Sequence, residues 1–307
     1  MRKLLVLAAL AAAPTFAAAP PAPPKPLTAA DIIASAAPTD WRRLDPADTL
    51  YLDLASGRVV IELSRHYAPA HVAAIKQLAS AHYWDGLAIT RLQDNFVAQW
   101  GDREANEDDT SKARSLGAAA TTLQPEFWIS DRDLKIAKLK DRDVWAPVTG
   151  FVDGFPVAAD PKTHRAWIAH CYGTIGAGRG EAVDSGSGAE LYAVIGQSPR
   201  GLDLNIAPVA RVLQGMELLS SLPRGGGAMG FYDKPEQDVR IAKIERLADM
   251  PEATRPDVRV FRTDVPQWNE IVESRRNRKD SWYVHKAGAI DVCNLTVPVK
   301  IEAKTAH

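Results

Sequence analysis

Gly86-Leu87-Ala88-Ile89-Thr90-Arg91-Leu92-Gln93-Asp94-Asn95-Phe96-Val97-Ala98-Gln99-Trp100-Gly101-Asp102 is the stretch on which the reading of this chain turns. Leu87 to Leu92 alternates and predicts a strand, and Phe96 to Gln99 predicts the next one after a Gln93-Asp94-Asn95 turn. Side chains two apart in a strand share a face. Alternation therefore places Ile89 with Arg91, and Val97 with Gln99. A cation and an amide would then stand beside an apolar pocket, with Phe96 at its edge. Taken singly these are ordinary features, a surface arginine in an ion pair and a buried phenylalanine.

The same period runs outward from this block. Upstream, Thr49 to Leu54 and Arg58 to Leu63 flank a Ser56-Gly57 turn and read as a hairpin. Val72, Ile75 and Leu78 recur at helical spacing and predict a helix from about Ala68 to Ala81. Downstream, from Arg103 to about Arg165, charge-rich pieces such as Asp131-Arg132-Asp133-Leu134-Lys135 break the pattern. This region is expected to be a long irregular insertion holding one short helix. Ala166 to Cys171 resumes strand character, and Gly176-Ala177-Gly178-Arg179-Gly180 reads as a flexible surface loop. Further strands are predicted at Glu190 to Ile195, Val209 to Val212 and Val239 to Ile244, with a short helix from Met216 to Leu222. Many short strands with two helices suggest a closed antiparallel barrel. After Asp249 a tail carries a strand near Val258 to Phe261 and a helix near Val265 to Arg276. Trp268, Ile271 and Val272 would form that helix's buried face. About 60 residues give little independent core, so the tail is expected to dock on the barrel.

The expected class is therefore mostly β: a closed barrel with a long loop insertion and an α+β C-terminal extension. Its divisions are a leader over 1–19, a Pro/Ala-rich tether over 20–46, the barrel over 47–247 with its insertion at about 103–165, and the extension over 248–307. The leader is read from Met1-Arg2-Lys3, the apolar run Leu4 to Ala13 and the small residues Ala17 to Ala19. That is the layout of a secretory signal peptide, and the run is shorter than the roughly 20 apolar residues a membrane span needs. A periplasmic location follows as the expectation.

The composition is that of a globular protein: 307 residues, 46% hydrophobic and 24% charged. A formal net charge of −1 removes any global electrostatic case for nucleic-acid binding. Two cysteines, Cys171 and Cys293, exclude a disulfide-rich scaffold and a multi-Cys zinc site. In an oxidising compartment they could pair, but their separation in sequence leaves the geometry open. The glycine run at 176–180 lacks the Lys-Ser/Thr of a phosphate loop, and His164 and His170 lack the spacing of a metalloprotease pair. Gly186-Ser187-Gly188 lacks the nucleophile-elbow spacing. Arg275 to Lys279 reads as the solvated end of a helix.

Taken in order, the motifs resemble the cyclophilin-type peptidyl-prolyl isomerases. The block at 86–102 is similar to that family's Phe-His-Arg, four residues, Phe-Met-x-Gln-Gly-Gly-Asp pattern. Gly57 to Leu63, Ala68-Pro69 and Tyr83-Trp84-Asp85-Gly86 resemble its opening hairpin, helix and turn. Gly188-Ala189-Glu190-Leu191-Tyr192 resembles its Gly-Ser-Gln-Phe-Phe strand. Leu202-Asp203, Val209 to Val212 and Gly215-Met216 resemble its closing elements. The resemblance implies an eight-stranded barrel capped by two helices, without cofactor or metal. It implies that Arg91 is the catalytic cation and that the Gln99 amide holds the peptide backbone. Phe96 and Val97 would line the proline pocket, with Tyr192 as a second aromatic and Leu202 on its wall. Cys171 and Glu190 stand where the family lines the site with Ala and Gln. Trp100 replaces a glycine, Gly201 replaces a tryptophan, and Cys171-Tyr172 matches the family's Ala-Asn. The implied partners are proline-containing unfolded or extended polypeptides, bound by a monomer with no nucleic acid and no membrane span. The rival expectation is a non-catalytic chaperone or assembly subunit using the same groove.

Overall fold

The computed structural model describes residues 27–106, 109–280 and 282–302. The expected leader and the proline-rich run at 19–25 lie outside them. In chain order the helices are α1 (Ala29–Ala34), α2 (Pro69–Ser80), α3 (Met216–Ser220) and α4 (Pro266–Arg276). The strands are β1 (Trp41–Arg43), β2 (Thr49–Leu54), β3 (Gly57–Leu63), β4 (Ala88–Leu92), β5 (Val97–Gly101), β6 (Ile129–Ser130), β7 (Ala137–Lys138), β8 (Val148–Val152), β9 (Phe155–Asp160), β10 (Arg165–Ile168), β11 (Thr174–Ala177), β12 (Leu191–Val194), β13 (Pro208–Gln214), β14 (Val239–Arg246), β15 (Asp257–Phe261) and β16 (Val299–Glu302).

Eight of these strands close a barrel in the order β11-β12-β5-β4-β14-β2-β3-β13, every neighbouring pair antiparallel. Leu50, Leu52, Val59, Ile61, Ile89, Leu92, Trp100, Ile175, Val209 and Ile241 fill its interior with α2 residues Val72, Ile75 and Leu78. Pro69 opens α2, where a missing N–H costs nothing. The Glu126 carboxylate accepts from the free N–H groups of Ala70 and His71 at 3.0 and 2.9 Å. Trp100, which stands where the family has glycine, is fully buried in the barrel core.

Three sequence-based expectations need correction. The insertion is not irregular. It builds a second, five-stranded sheet, β6-β10-β9-β8-β7, and its helical content among the described residues is two single turns of 3-10 helix in place of the one short helix expected. Its central hairpin turns at Asp153-Gly154, both at positive φ (50° and 82°). Asp-Gly between apolar runs is a hairpin signal, but strands of two to six residues are too short for alternation to stand out.

The second correction concerns Ala166 to Cys171. β10 belongs to the insertion's sheet, and the barrel strand is β11, from the stretch expected to be a glycine loop. Gly176 is required there by close approach, because a Cβ would lie 2.1 Å from the Tyr192 hydroxyl across the ladder.

Third, the tether is partly folded. From Thr28 onward it forms α1, whose capping box joins Thr28 and Asp31, and β1, which pairs with β15. The tail completes a three-stranded sheet, β1-β15-β16. Trp41 packs edge-on against Phe261 with ring centroids 5.1 Å apart. Trp268, Ile271 and Val272 are buried as the helical spacing predicts, with Trp268 edge-on to Phe151 of β8 at 4.9 Å. Tyr51 and Val60, on the outer face of the β2–β3 hairpin, join this same core, so the outer layer covers one side of the barrel. Arg276 is buried rather than solvated, its Nε 3.0 Å from both Asp141 oxygens. Cys171 and Cys293 form a disulfide between the approach to β11 and the tail.

Candidate active site

β4 and β5 pair across the Gln93–Phe96 turn with Arg91 opposite Gln99, and the register shifts between Ile89 and Arg91. Thr90 is thus the extra residue of a β-bulge. A bulge re-aims the side chains that follow it. Ile89 therefore points into the barrel core while Arg91 lies outside, so the two do not share a face as strict alternation predicts. Val97 and Gln99 do share the outer face, and Ala98 and Trp100 take the inner one.

On this outer face Arg91 is partly buried. Its Nη1 donates to Gln99 Oε1 at 2.9 Å and its Nε to the Met229 carbonyl at 2.7 Å, and Nη2 donates to Gln93 Oε1. The guanidinium lies 5.6 Å from the Phe96 ring centroid and 5.3 Å from that of Phe231. Burial draws its pKa below the ordinary value, opposed by the charge of Glu190. A guanidinium starts so high that it stays charged.

Gln99 Nε2 donates to Glu190 Oε1 at 3.0 Å, extending the line from Arg91 through the amide to a carboxyl group. Burial pushes the Glu190 carboxyl up to about 7, against the hydrogen bonds from Gln99 and Asn106 that favour the charged form. The carboxylate fits because residue 101 is glycine. A Cβ there would lie 1.8 Å from Glu190 Oε2.

Beside this polar line lies a small apolar cluster of Val97, Tyr192 and Val194, flanked by Phe96, Leu202 and Ile206. Tyr192 is buried, and its hydroxyl lies 3.0 Å from His170 Nε2. His170 Nδ1 lies 2.9 Å from Asp203 Oδ1 and donates to that carboxylate. Burial alone would raise the Asp203 carboxyl. The bonds from His170 and the charges of His170 and Arg200 outweigh it and hold the group below its usual range. Arg200 donates from Nε to Asp203 at 2.9 Å.

The structure therefore brings Arg91, Phe96, Val97, Gln99, Glu190, Tyr192 and Leu202 together outside the barrel core. Cys171 is different, because its sulfur is spent in the bond to Cys293 and it belongs to the outer core. Gly178 donates its N–H to the Glu190 carbonyl at 2.8 Å, so Gly178-Arg179 stands beside the site. Sequence reasoning missed His170, Asp203 and Arg200 as one network, and Phe231 as the second ring beside Arg91. They come from three separate segments, and only the Arg200–Asp203 pair is local in sequence. Among the described residues no three His, Cys, Asp or Glu side chains gather as metal ligands would.

Fold and site together define a closed β-barrel that carries a cation and an amide beside a small, largely buried apolar cluster. The sequence profile described as "Cyclophilin type peptidyl-prolyl cis-trans isomerase/CLD" matches residues 49–246, and the chain belongs to that family. Over 87 residues it is 37% identical to a "Probable peptidyl-prolyl cis-trans isomerase" of Brucella suis biovar 1, and 36% identical to one of Brucella abortus. Each match takes in 27% of this chain and 44% of the relative, so the chain spans less than half the length of these curated relatives. The crystal structure of cyclophilin AquaCyp293 from Hirschia baltica superposes with a TM-score of 0.69. It covers 91% of this chain and 99% of its own at 23% identity, which makes it a likeness of fold, outer layer included.

Proposed function

We propose that this chain accelerates rotation about X–Pro bonds in exported, unfolded or extended polypeptides, acting as a periplasmic folding catalyst. The observation that carries the reading is the placement of Arg91 and Gln99 beside the apolar cluster of Phe96, Val97 and Tyr192. Rotation about a peptide bond faces a barrier of about 18–20 kcal/mol, because planarity conjugates the nitrogen with the carbonyl. When the bond twists, that conjugation is lost and the proline nitrogen gains a lone pair. The Arg91 guanidinium donates to the twisted state better than to the planar one, which is the condition for catalysis. Phe96 and Val97 hold the pyrrolidine ring, Gln99 holds the backbone, and the chain on the other side of the bond turns. No nucleophile is needed.

Export is supported by the basic, apolar and small-residue order at 1–19 and by the Cys171–Cys293 bond, a feature of oxidising compartments. No helix among the described residues is long and apolar enough to cross a membrane. Slow proline steps limit many folding reactions, which gives such an enzyme a use. One observation favours the rival, a non-catalytic peptide binder on the same groove: Arg91 is already engaged by Gln93, Gln99 and the Met229 carbonyl. The test is a proline-limited refolding reaction with and without the protein. Acceleration by wild type, reduced about a hundredfold in Arg91→Ala, supports catalysis. Binding without acceleration supports the rival.

A further inference from the structure

Trp145 lies between β7 and β8, in the insertion's sheet, and 54% of it is exposed, with its neighbour Val144 at 87%. The residues around it are fixed. Asp143 accepts from both Nη groups of Arg200 at 3.0 and 3.1 Å, a two-pronged bond between buried side chains. The same carboxylate accepts from the backbone N–H groups of Trp145 and Ala146 at 2.7 and 2.9 Å. Ala146 is itself buried in the outer core. The indole is thus held by a rigid loop although half of it meets solvent, and it lies over the Arg200 guanidinium at 5.9 Å.

Arg200 leads directly to the apolar pocket. It sits in the 3-10 turn Ser198–Leu202, which ends on the pocket residue Leu202. Its Nε reaches Asp203, which holds His170, which holds the Tyr192 hydroxyl. Between Arg200 and Leu202, Gly201 is exposed, and a Cβ built on it would meet nothing within 4 Å. Open space at Gly201 and a fixed, half-exposed ring over Arg200 therefore flank the turn that ends on Leu202.

We propose that Trp145 is a specificity-determining residue whose ring forms a subsite for an apolar or aromatic side chain next to the substrate proline. The insertion thereby supplies a wall that the barrel's own strands do not. The occupant follows from continuity: the indole lies over Arg200, the turn from Arg200 through exposed Gly201 ends on the cluster residue Leu202, and an indole offers an apolar face. This inference rests on the isomerase reading for its substrate, so the experiment separates the two.

Affinity by titration and isomerisation rate by NMR exchange would be measured for short peptides carrying Phe or Gly on either side of one proline. Wild type, Trp145→Ala and Trp145→Phe would be compared. Wild type is expected to prefer Phe over Gly at one flank by about five- to tenfold, the size of one aromatic contact. Trp145→Ala should bring that ratio close to one, and Trp145→Phe should restore part of it. A ratio near one in wild type, or one that survives in Trp145→Ala, overturns the inference. Selective binding that depends on Trp145 without rate enhancement would uphold the inference and end the isomerase reading.

Discussion

Barrel and outer layer are joined in different ways. The hairpins β2–β3 and β4–β5 turn tightly and close on leucine, isoleucine, valine and tryptophan side chains. The outer layer shares an apolar core with Tyr51 and Val60 of the barrel and is tied further by buried charge and one covalent bond. Glu62 of β3 accepts from Arg42 of β1 and, at 2.9 and 2.7 Å, from Arg211 of β13. The same two arginines donate to the carbonyls of Asp153 and Gly154 at the insertion's hairpin turn. Apolar packing tolerates the loss of one contact, whereas a buried charge stripped of its partner is expensive. The candidate site sits on the barrel, and the layer around it is held in part by charge pairs that do not tolerate the loss of one partner.

The largest expected effect breaks the covalent joint. The Cys171–Cys293 bond spans 122 residues, and closing a loop of that size is worth about 4–5 kcal/mol. Cys293→Ser should lower stability by about that much in denaturant titration, with the isomerisation rate at 10 °C kept. A rate lost together with stability would show that the layer and the site are one unit. Next, Glu62→Gln leaves Arg42 and Arg211 facing each other across a neutral amide. It should cost about 3 kcal/mol, the low end for a broken buried pair because Arg42 keeps some exposure.

A smaller effect, of opposite sign, sharpens the contrast from the side of the site. The Glu190 carboxyl sits near 7 in the folded chain against an ordinary value of 4.5, raised by burial. The fold binds that proton more tightly than the unfolded chain does. Its contribution is therefore full below pH 4.5 and is lost as pH rises through about 7. Glu190→Gln should remove this slope. Allowing for the residue's partial exposure, the variant should gain about 2 kcal/mol over wild type between pH 4.5 and pH 8, read from paired denaturation curves. Parallel pH profiles would show that the carboxyl is not strained by its site.

The same division governs what could be read in the sequence. The near wall of the site was legible because β4 and β5 are adjacent and Val97, Gln99 and the core residues alternate. Only the bulge at Thr90 was hidden, since a single inserted residue looks like ordinary alternation. The far wall was not legible. Asp143, His170 and Asp203 meet around Arg200 and Tyr192 through tertiary approach, which leaves no periodic trace. Glycine misled at β11, where small size serves the Tyr192 hydroxyl rather than flexibility. The Pro/Ala-rich composition near the N-terminus likewise concealed β1, a strand of three residues whose partner lies more than 200 positions away.

The central claim is that Arg91 stabilises the twisted X–Pro bond through its planar fork of donors. Exchange NMR on one proline peptide, with wild type and Arg91→Lys at equal concentration, tests this most directly. Lysine keeps the charge and loses the fork. The account predicts clear acceleration by wild type and a loss of about tenfold or more in kcat/KM for the variant, with the melting temperature held. Equal rates in the two proteins would contradict it.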